Sequence, residues 1–497
     1  MAQQAFLLQS SPISSQPHSR WGFLLILSLL FNALCLVIIG KHGQLLNRGS
    51  KTENLQSLGW SRKAAEEAEA AAQYSCSGHG YVFVDTFRRN QDGTPVCECN
   101  ECYLGPDCSE IDPNCVANAD SGDPGFLEPF WMANSEAGAT VVPAWYRMSY
   151  RIKDGSAAMF SPELEEQIRA IHALVGNAVT EERYIVLGTG SMQLINAAIN
   201  SLSPTQSSNP AQVVAAVPYY GAYKGQTELF DSSDNLWTGD ARAFQERTKS
   251  LNSTTFIEFV TSPNNPDAQP NEAVLKGKNV KAVYDHAYYW PHFTAISHPV
   301  DEDIMLFTIS KLTGHAGSRL GWAIIKDYDL YQKMYLYIQY NTLGVSHDTQ
   351  LRATTLLKAI ISGYKQSKGM KAFKTDSKQL LFHYAYPVMR RRWESLERIF
   401  SASDRFSLQN LQPLYCNFFG KVTDPSPAYA WVKCEREEED CAAVLEKAGI
   451  IGRAAKEFGA DKRYVRLSLL RRDDAFAVFE RRLQALVSHN KTAQESM

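Results

Sequence analysis

Phe307-Thr-Ile-Ser-Lys-Leu-Thr-Gly-His-Ala-Gly-Ser-Arg-Leu-Gly-Trp322 sets one lysine, Lys311, in a run of apolar and small residues. Thr308 and Ser310 precede it, and Arg319 follows in the same stretch. Apolar surroundings favour a neutral amine, which is a nucleophile. Hydroxyls and a guanidinium nearby are groups that hold a phosphate. The combination points to a lysine that binds pyridoxal 5′-phosphate (PLP) covalently. A strand followed by a Gly-rich turn, with Lys311 at the strand end, accounts for the stretch equally well. The surrounding chain has to decide.

Working outward, strand-length apolar runs occur at Tyr184–Leu187, Val213–Val217, Phe256–Val260, Val280–Tyr284 and Met305–Ile309. Helical patterns separate several of them, as over Pro162–Val175 and Met192–Leu202. This alternation predicts an α/β domain with a mainly parallel sheet. In such sheets ligands bind beyond the carboxyl ends of the strands. After the first run comes Gly188-Thr-Gly-Ser-Met-Gln193, opening a helix, where backbone amides bind anions. After the second comes Pro218-Tyr-Tyr-Gly-Ala-Tyr223, which offers aromatic faces, and after the third Ser262-Pro-Asn-Asn-Pro266, which offers an amide. After the fourth comes Asp285, a carboxylate at a buried strand end that needs a cationic partner such as a protonated pyridine nitrogen. The fifth run ends on Thr308-Ile-Ser-Lys311. Each element alone has a bland reading as turn or packing. The ordered set is the inventory PLP requires: phosphate cradle, ring stacker, amide, aspartate and lysine.

This set resembles the fold-type I aminotransferases and, more closely, the alliinase family, which takes in tryptophan aminotransferase-related proteins and alliin lyase. The resemblance runs from about Cys76 to about residue 485. It is carried by Cys97-Glu-Cys-Asn100, Thr261-Ser-Pro-Asn-Asn-Pro-Asp267, Tyr288-Tyr-Trp-Pro-His292, Ser310–Trp322, Tyr429-Ala-Trp-Val-Lys-Cys434 and Arg463-Tyr-Val-Arg-Leu-Ser-Leu469. It implies a PLP-dependent transferase fold of type I, an α/β/α arrangement with a smaller C-terminal α+β domain. Lys311 would carry PLP and Asp285 would pair with the pyridinium. Tyr288 and Asn265 would bond the ring oxygen, and Tyr220 would stack on the ring, in preference to Tyr219. Ser191, the Met192 amide, Thr308, Ser310 and Arg319 would hold the phosphate. Tyr150 would reach that phosphate across a dimer interface, so a homodimer is implied. Arg466 would grip the substrate carboxylate, although a surface salt bridge is its plain alternative. Two positions depart from the family pattern: Met192, where relatives usually carry Thr or Ser, and Ala268 after Asp267, where relatives usually carry Gly.

Six of the ten cysteines lie between positions 76 and 115, among turn residues. That density fits an oxidising compartment and a disulfide-stapled module, although Cys99-x-x-Cys102 also has zinc-ligand spacing. The pattern resembles an EGF-like module, which implies the pairs Cys76–Cys97, Cys99–Cys108 and Cys102–Cys115. Cys434 and Cys441 enclose an acidic loop and are candidates for a fourth pair. No metal site is expected.

Trp21–Gly40 is an uncharged apolar run of bilayer-spanning length. It predicts a signal anchor, with a cleaved signal peptide as the alternative. The expected organisation is a tail over 1–20, a transmembrane segment over 21–40, a stalk over 41–75 and an EGF-like module over 76–115. A PLP-binding domain follows over 116–490, its major part about 160–360 and its smaller part drawn from both flanks. The catalytic part would be lumenal or extracellular, or vacuolar or secreted after cleavage. In 497 residues the net charge is −3 with no basic array, which argues against a nucleic-acid partner.

Two reactions suit this inventory. An aminotransferase would convert an L-amino acid, tryptophan among the candidates, to its 2-oxo acid with a 2-oxo acid acceptor. A carbon–sulfur β-lyase would cleave an S-alkyl-cysteine sulfoxide. A non-catalytic adhesion protein would have no reason to keep Lys311, Asp285, Asn265, Tyr288 and Arg319 together.

Overall fold

The computed structural model describes residues 59–85, 95–153, 158–205, 208–249, 253–369 and 379–495. The chain divides into two units, Met1–Ala70 and Ala71–Met497. Of the first, residues 59–70 are described, within a helix Gly59–Ala72. Its sequence is rich in strong helix formers, and Arg62 and Glu66 pair one turn apart at 2.9 Å. That pair is exposed and adds little.

The expectation of a single-pass membrane protein is corrected. Among the described residues no helix is long and apolar enough to cross a membrane. The two longest, His347–Gly369 and Asp473–Glu495, have the length but carry charged side chains along it, which a bilayer core would not accept. The stretch 21–40 on which the expectation rested lies outside the described residues, as do 1–20 and 41–58. The disulfides described next fit an oxidising compartment.

The module holds two short antiparallel ladders, Gly80–Tyr81 with Glu98–Cys99 and Tyr103–Leu104 with Glu110–Ile111. Its apolar core is small: Ala71, Cys76, Val82 and Cys108. Disulfides supply what this core lacks. Cys76 joins Cys97, Cys99 joins Cys108 and Cys102 joins Cys115, at Cα separations of 5.8, 5.2 and 4.9 Å. Cys434 joins Cys441 in the C-terminal part, and Cys416 is a buried free thiol.

The large sheet has seven strands. In chain order they are β1 (Tyr184–Gly188), β2 (Ala211–Ala215), β3 (Asn235–Asp240), β4 (Phe256–Thr261), β5 (Val280–Asp285), β6 (Ile304–Thr308) and β7 (Gly321–Ile325). Their spatial order is β1-β7-β6-β5-β4-β2-β3. All pairings are parallel except those of β7, which runs against β1 and β6, so the sheet is mixed. β4, β6 and β7 are buried along their whole length, as strands covered on both faces must be. Their side chains alternate between two apolar layers. Met305, Phe307, Trp322 and Ile324 enter one, and Ile304, Leu306, Ala323 and Ile325 the other.

β3 and β7 extend the five predicted strands. β3 is a half-buried edge strand whose sequence, Asn-Leu-Trp-Thr-Gly-Asp, lacks an apolar run. β7 hides inside the Gly-rich stretch after Lys311, because its first residue is Gly321. That glycine is required, since a Cβ there would lie 2.8 Å from the Ser191 amide nitrogen. The helix Pro162–Val175 has the predicted bounds. Ser161 caps it by accepting from the Leu164 amide, Pro162 opens it, and Gly176 ends it at φ +71°.

The smaller sheet is antiparallel: β8 (Phe406–Leu408), β9 (Tyr429–Cys434), β10 (Arg453–Ala454) and β11 (Tyr464–Ser468), in the order β8-β9-β11-β10. Of its two inner strands, β11 carries Arg466 opposite Trp431 of β9.

Candidate active site

A cavity of about 280 Å³ opens beyond the carboxyl ends of β1, β4, β5 and β6. Eleven sequence-predicted residues line it: Ser191, Met192, Tyr220, Asn265, Asp285, Tyr288, Thr308, Ser310, Lys311, Arg319 and Arg466. Tyr150 does not; it is 73% exposed. Tyr219 also stands apart, its ring edge-on to Trp237.

One end of the cavity is built by the large sheet. Lys311 sits not at the end of β6 but in the single helical turn Ile309–Leu312 that follows it. Thr308 caps that turn, accepting from the Ser310 amide at 3.1 Å while its hydroxyl lies 3.0 Å from the Leu320 carbonyl. The helix Gly190–Leu202 points its amino end at the same place, where unpaired amides favour an anion. Gly190 has φ +73°, and a Cβ on it would lie 2.3 Å from Arg319 Nη2. Only glycine lets that guanidinium approach Ser191. Asp285 is 4% exposed. Its Oδ1 accepts from the Ala287 amide at 3.1 Å and its Oδ2 from the Tyr223 hydroxyl at 3.1 Å. Burial pushes its carboxyl above the ordinary range, and no described salt bridge neutralises it.

The other end is built by the small sheet. Arg466 is 1% exposed and lies over the Tyr429 ring, 4.0 Å from its centroid. Its Nη1 donates to Asn265 Oδ1 at 3.0 Å and its Nη2 to the Asp120 carbonyl at 2.6 Å, while its Nε has no partner. Asp120 is itself clamped by Arg453 through bonds of 2.6 and 3.0 Å. Tyr288 and Tyr429 share a hydrogen bond of 2.5 Å between hydroxyls. Burial pushes the Tyr429 hydroxyl up, but the Arg466 guanidinium and the Lys311 amine bring it below its usual range. Burial and the neighbouring Tyr429 raise that of Tyr288 well above. Lys311 Nζ donates to the Gly122 carbonyl, so the amine bridges the two ends.

Gly122, Asp120, Arg453 and Tyr429 escaped sequence reading as site residues, and Tyr223 is read there only as an aromatic face, not as the partner of Asp285. The Ser121-Gly-Asp-Pro-Gly125 cluster was the available signal for the Gly122 loop, and the Tyr429 string for Tyr429. Of the two departures from family pattern, Met192 brings its Sδ to 3.9 Å from the Tyr220 hydroxyl. Ala268 has φ +58°, the left-handed region where an L side chain is strained and a glycine is not.

Comparison with known proteins agrees with this geometry. A family model described as Allinase matches residues 117–487, and one described as Alliinase EGF-like domain matches 59–115. Tryptophan aminotransferase-related protein 4 of Arabidopsis thaliana is 46% identical over 471 residues, which is 94% of this chain and 96% of that protein. Alliin lyase of Allium cepa var. aggregatum is 45% identical, covering 84% of this chain and 91% of the lyase. Among solved structures, N-succinyldiaminopimelate aminotransferase of Mycobacterium tuberculosis superposes with a TM-score of 0.53 at 18% identity, covering 75% of this chain and 93% of that one. A multiple substrate aminotransferase of Thermococcus profundus gives 0.52 at 14%, covering 76% and 92%. The fold is therefore PLP-dependent aminotransferase fold type I with an EGF-like module, and proteins of this family and fold use PLP. The residues present fit that group. The buried Asp285 carboxylate lacks a cation, a glycine cradle brings Arg319 to the helix amino end, and an amine stands between.

Proposed function

The chain belongs to the alliinase family, and on that premise we propose that it is an aminotransferase that takes an L-amino acid to its 2-oxo acid and returns nitrogen to a 2-oxo acid acceptor. The observation that carries this reading is one cavity holding the Lys311 amine, the Asp285 carboxylate and the buried Arg466 guanidinium. PLP, when bound, supplies an electron-withdrawing ring that stabilises negative charge at the substrate Cα. Lys311 would hold the cofactor covalently at rest and, once freed, would carry the proton to and from Cα. Asp285, fixed by the Ala287 amide and the Tyr223 hydroxyl, would hold the proton on the ring nitrogen. Ser191, the Met192 amide, Ser310 and Arg319 would hold the phosphate, with Thr308 fixing their turn. Tyr220, Tyr288 and Asn265 would bind the ring. Arg466 anchors the α-carboxylate of the amino acid and then of the oxo acid, using its free N–H groups. The similarity to tryptophan aminotransferase-related protein 4 over nearly the whole chain supports tryptophan as the first substrate to try.

The second reading, carbon–sulfur β-elimination, has its own support. Alliin lyase is similar over 91% of its length, and the Tyr288–Tyr429 pair offers a hydroxyl proton beside the lysine for a leaving group. Product analysis separates the two. Tryptophan with pyruvate should yield indole-3-pyruvate; release of pyruvate from S-allyl-cysteine sulfoxide, without transamination, would overturn the aminotransferase reading.

A homodimer belongs to this proposal. Trp145, Met148 and Tyr150 are 72%, 86% and 73% exposed, an apolar arm that a second copy would cover. Sedimentation should give a dimer, and Tyr150→Phe should weaken PLP retention without unfolding the chain.

A further inference from the structure

We propose that the disulfide-stapled module forms one wall of the subsite for the substrate's side chain, and that this subsite takes an apolar or aromatic group. The inference rests on the amino-acid chemistry proposed above and adds the part of the substrate that chemistry leaves open.

A second cavity, of about 430 Å³, lies beside the catalytic one, within the size range of small-molecule sites. Asp123 lines both. The far wall consists of Tyr81 and Phe83 of the module, their rings 6.0 Å apart. Trp131 and Met132 face it from the catalytic part. Another side is Thr313-Gly-His315, the backbone that follows Lys311, and the segment from Asp123 to Glu128 with Arg471 and Arg472 completes the lining. One hydrogen bond and one close approach set that backbone against the segment after the Gly122 loop. Trp131 Nε1 donates to the Thr313 carbonyl at 2.7 Å, and a Cβ on Gly314 would lie 3.2 Å from the Pro124 carbonyl. The same short segments thus carry the reacting amine on one side and the second cavity on the other.

The chemistry of the lining selects the ligand. Arg472 is bound by Glu128 through two bonds of 2.6 Å, and Arg471 pairs with Glu101 at 2.5 Å, so both guanidinium charges are spent. His315 is held neutral, burial lowering it to about 4. What the cavity offers is ring faces and a thioether. Phe83 and Met132 are 43% and 50% exposed at its mouth, large apolar groups that a side chain would cover. Asp123, the acidic lining residue outside these ion pairs, accepts from the Ser121 hydroxyl at 2.9 Å and lies where the two cavities meet, so against the far wall a phenyl or indole ring would stack.

Phe83 lies outside the module's small core, so Phe83→Ala leaves the fold in place. The full-length PLP-loaded protein is assayed with L-alanine, L-phenylalanine and L-tryptophan, using 2-oxoglutarate as acceptor. In Phe83→Ala, kcat/KM for the two aromatic substrates should fall by roughly tenfold, the scale of a lost apolar contact, while alanine stays within about twofold. Phe83→Trp should restore the aromatic values. A second measurement is independent of the reaction: indole-3-propionate should bind wild type more tightly than propionate does, and Phe83→Ala should erase that difference. Equal effects on alanine and tryptophan, or an unchanged preference for the indole acid, would overturn the proposal. Failure of wild type to transaminate any of the three strikes the proposed function instead, and the acid-binding pair still decides this one.

Discussion

The two ends of the catalytic cavity are built on different principles. The end around Lys311 and Asp285 rests on β5 and β6, central strands of a seven-stranded sheet packed on both faces. Its side chains are held mostly from within the large sheet and its connections: Asp285 by the Ala287 amide and the Tyr223 hydroxyl, the Lys311 backbone by a capped turn. The end around Arg466 and Tyr429 rests on a four-stranded sheet, and its side chains are held by one another and by a loop far away in sequence. The first end is a fixed platform; the second is a network, in which changing one member shifts the others. A cofactor that stays bound suits the platform. Two alternating carboxylate substrates suit the network.

The comparison breaks most visibly at Lys311. Lys311→Ala should abolish covalent attachment of PLP and, with the proton carrier gone, lower the rate by roughly 10²–10⁴-fold. Absorbance in the visible and a rate measurement check both; an unchanged spectrum would sink the assignment. Arg466→Ala should leave that spectrum intact while kcat/KM falls about 10–100-fold, the value of charge-assisted bonds to a carboxylate. If Arg466→Ala instead stripped the cofactor, the two ends would not be separable.

Stability should follow pH through the platform. His172, fully buried behind β7, receives a hydrogen bond from Trp322 Nε1 on its Nε2 and faces Asn177 Oδ1 with its Nδ1, so a second proton has no acceptor. Burial first, then the neighbouring His286, lowers it to about 4. The unfolded chain takes up that proton near 6.5 while the folded chain does not. Stability is therefore full above 6.5 and falls as pH drops toward 4. By pH 5 the loss from this residue should be about 2 kcal/mol. Urea unfolding at pH 7.5 and pH 5 measures it, and in His172→Gln the slope should flatten. The smallest effect concerns Ala268, in the turn that carries Asn265. Ala268→Gly should relieve the left-handed strain and stabilise by up to about 1 kcal/mol, visible as a raised unfolding midpoint with activity unchanged.

The platform was legible in the chain because its groups lie just after strands, and strands announce themselves as apolar runs. Ser191, Asn265, Asp285, Ser310 and Lys311 all fell in such positions and line one cavity with Arg319, which instead precedes β7. The network was less so. Arg466 came through resemblance, while Asp120 and Arg453 carry no local signal, since their meaning depends on contacts spanning more than 300 residues. The seventh strand went unread for a different reason: its entry glycine looks like a turn until the close approach of Ser191 explains it.

By itself the sequence determined the α/β alternation, the crowding of cysteines into one module, and a lysine, an aspartate and hydroxyls at successive strand ends. These are local properties, set by periodicity and by which residues tolerate a strand's carboxyl end. Only the tertiary structure decided that β7 runs antiparallel, that Lys311 stands in a helical turn, that Tyr429 shares a proton bond with Tyr288, and that the module's Tyr81 and Phe83 share a cavity with Trp131. Each of those depends on segments distant in the chain meeting at a few ångströms, and such meetings are set by packing, which no single stretch encodes.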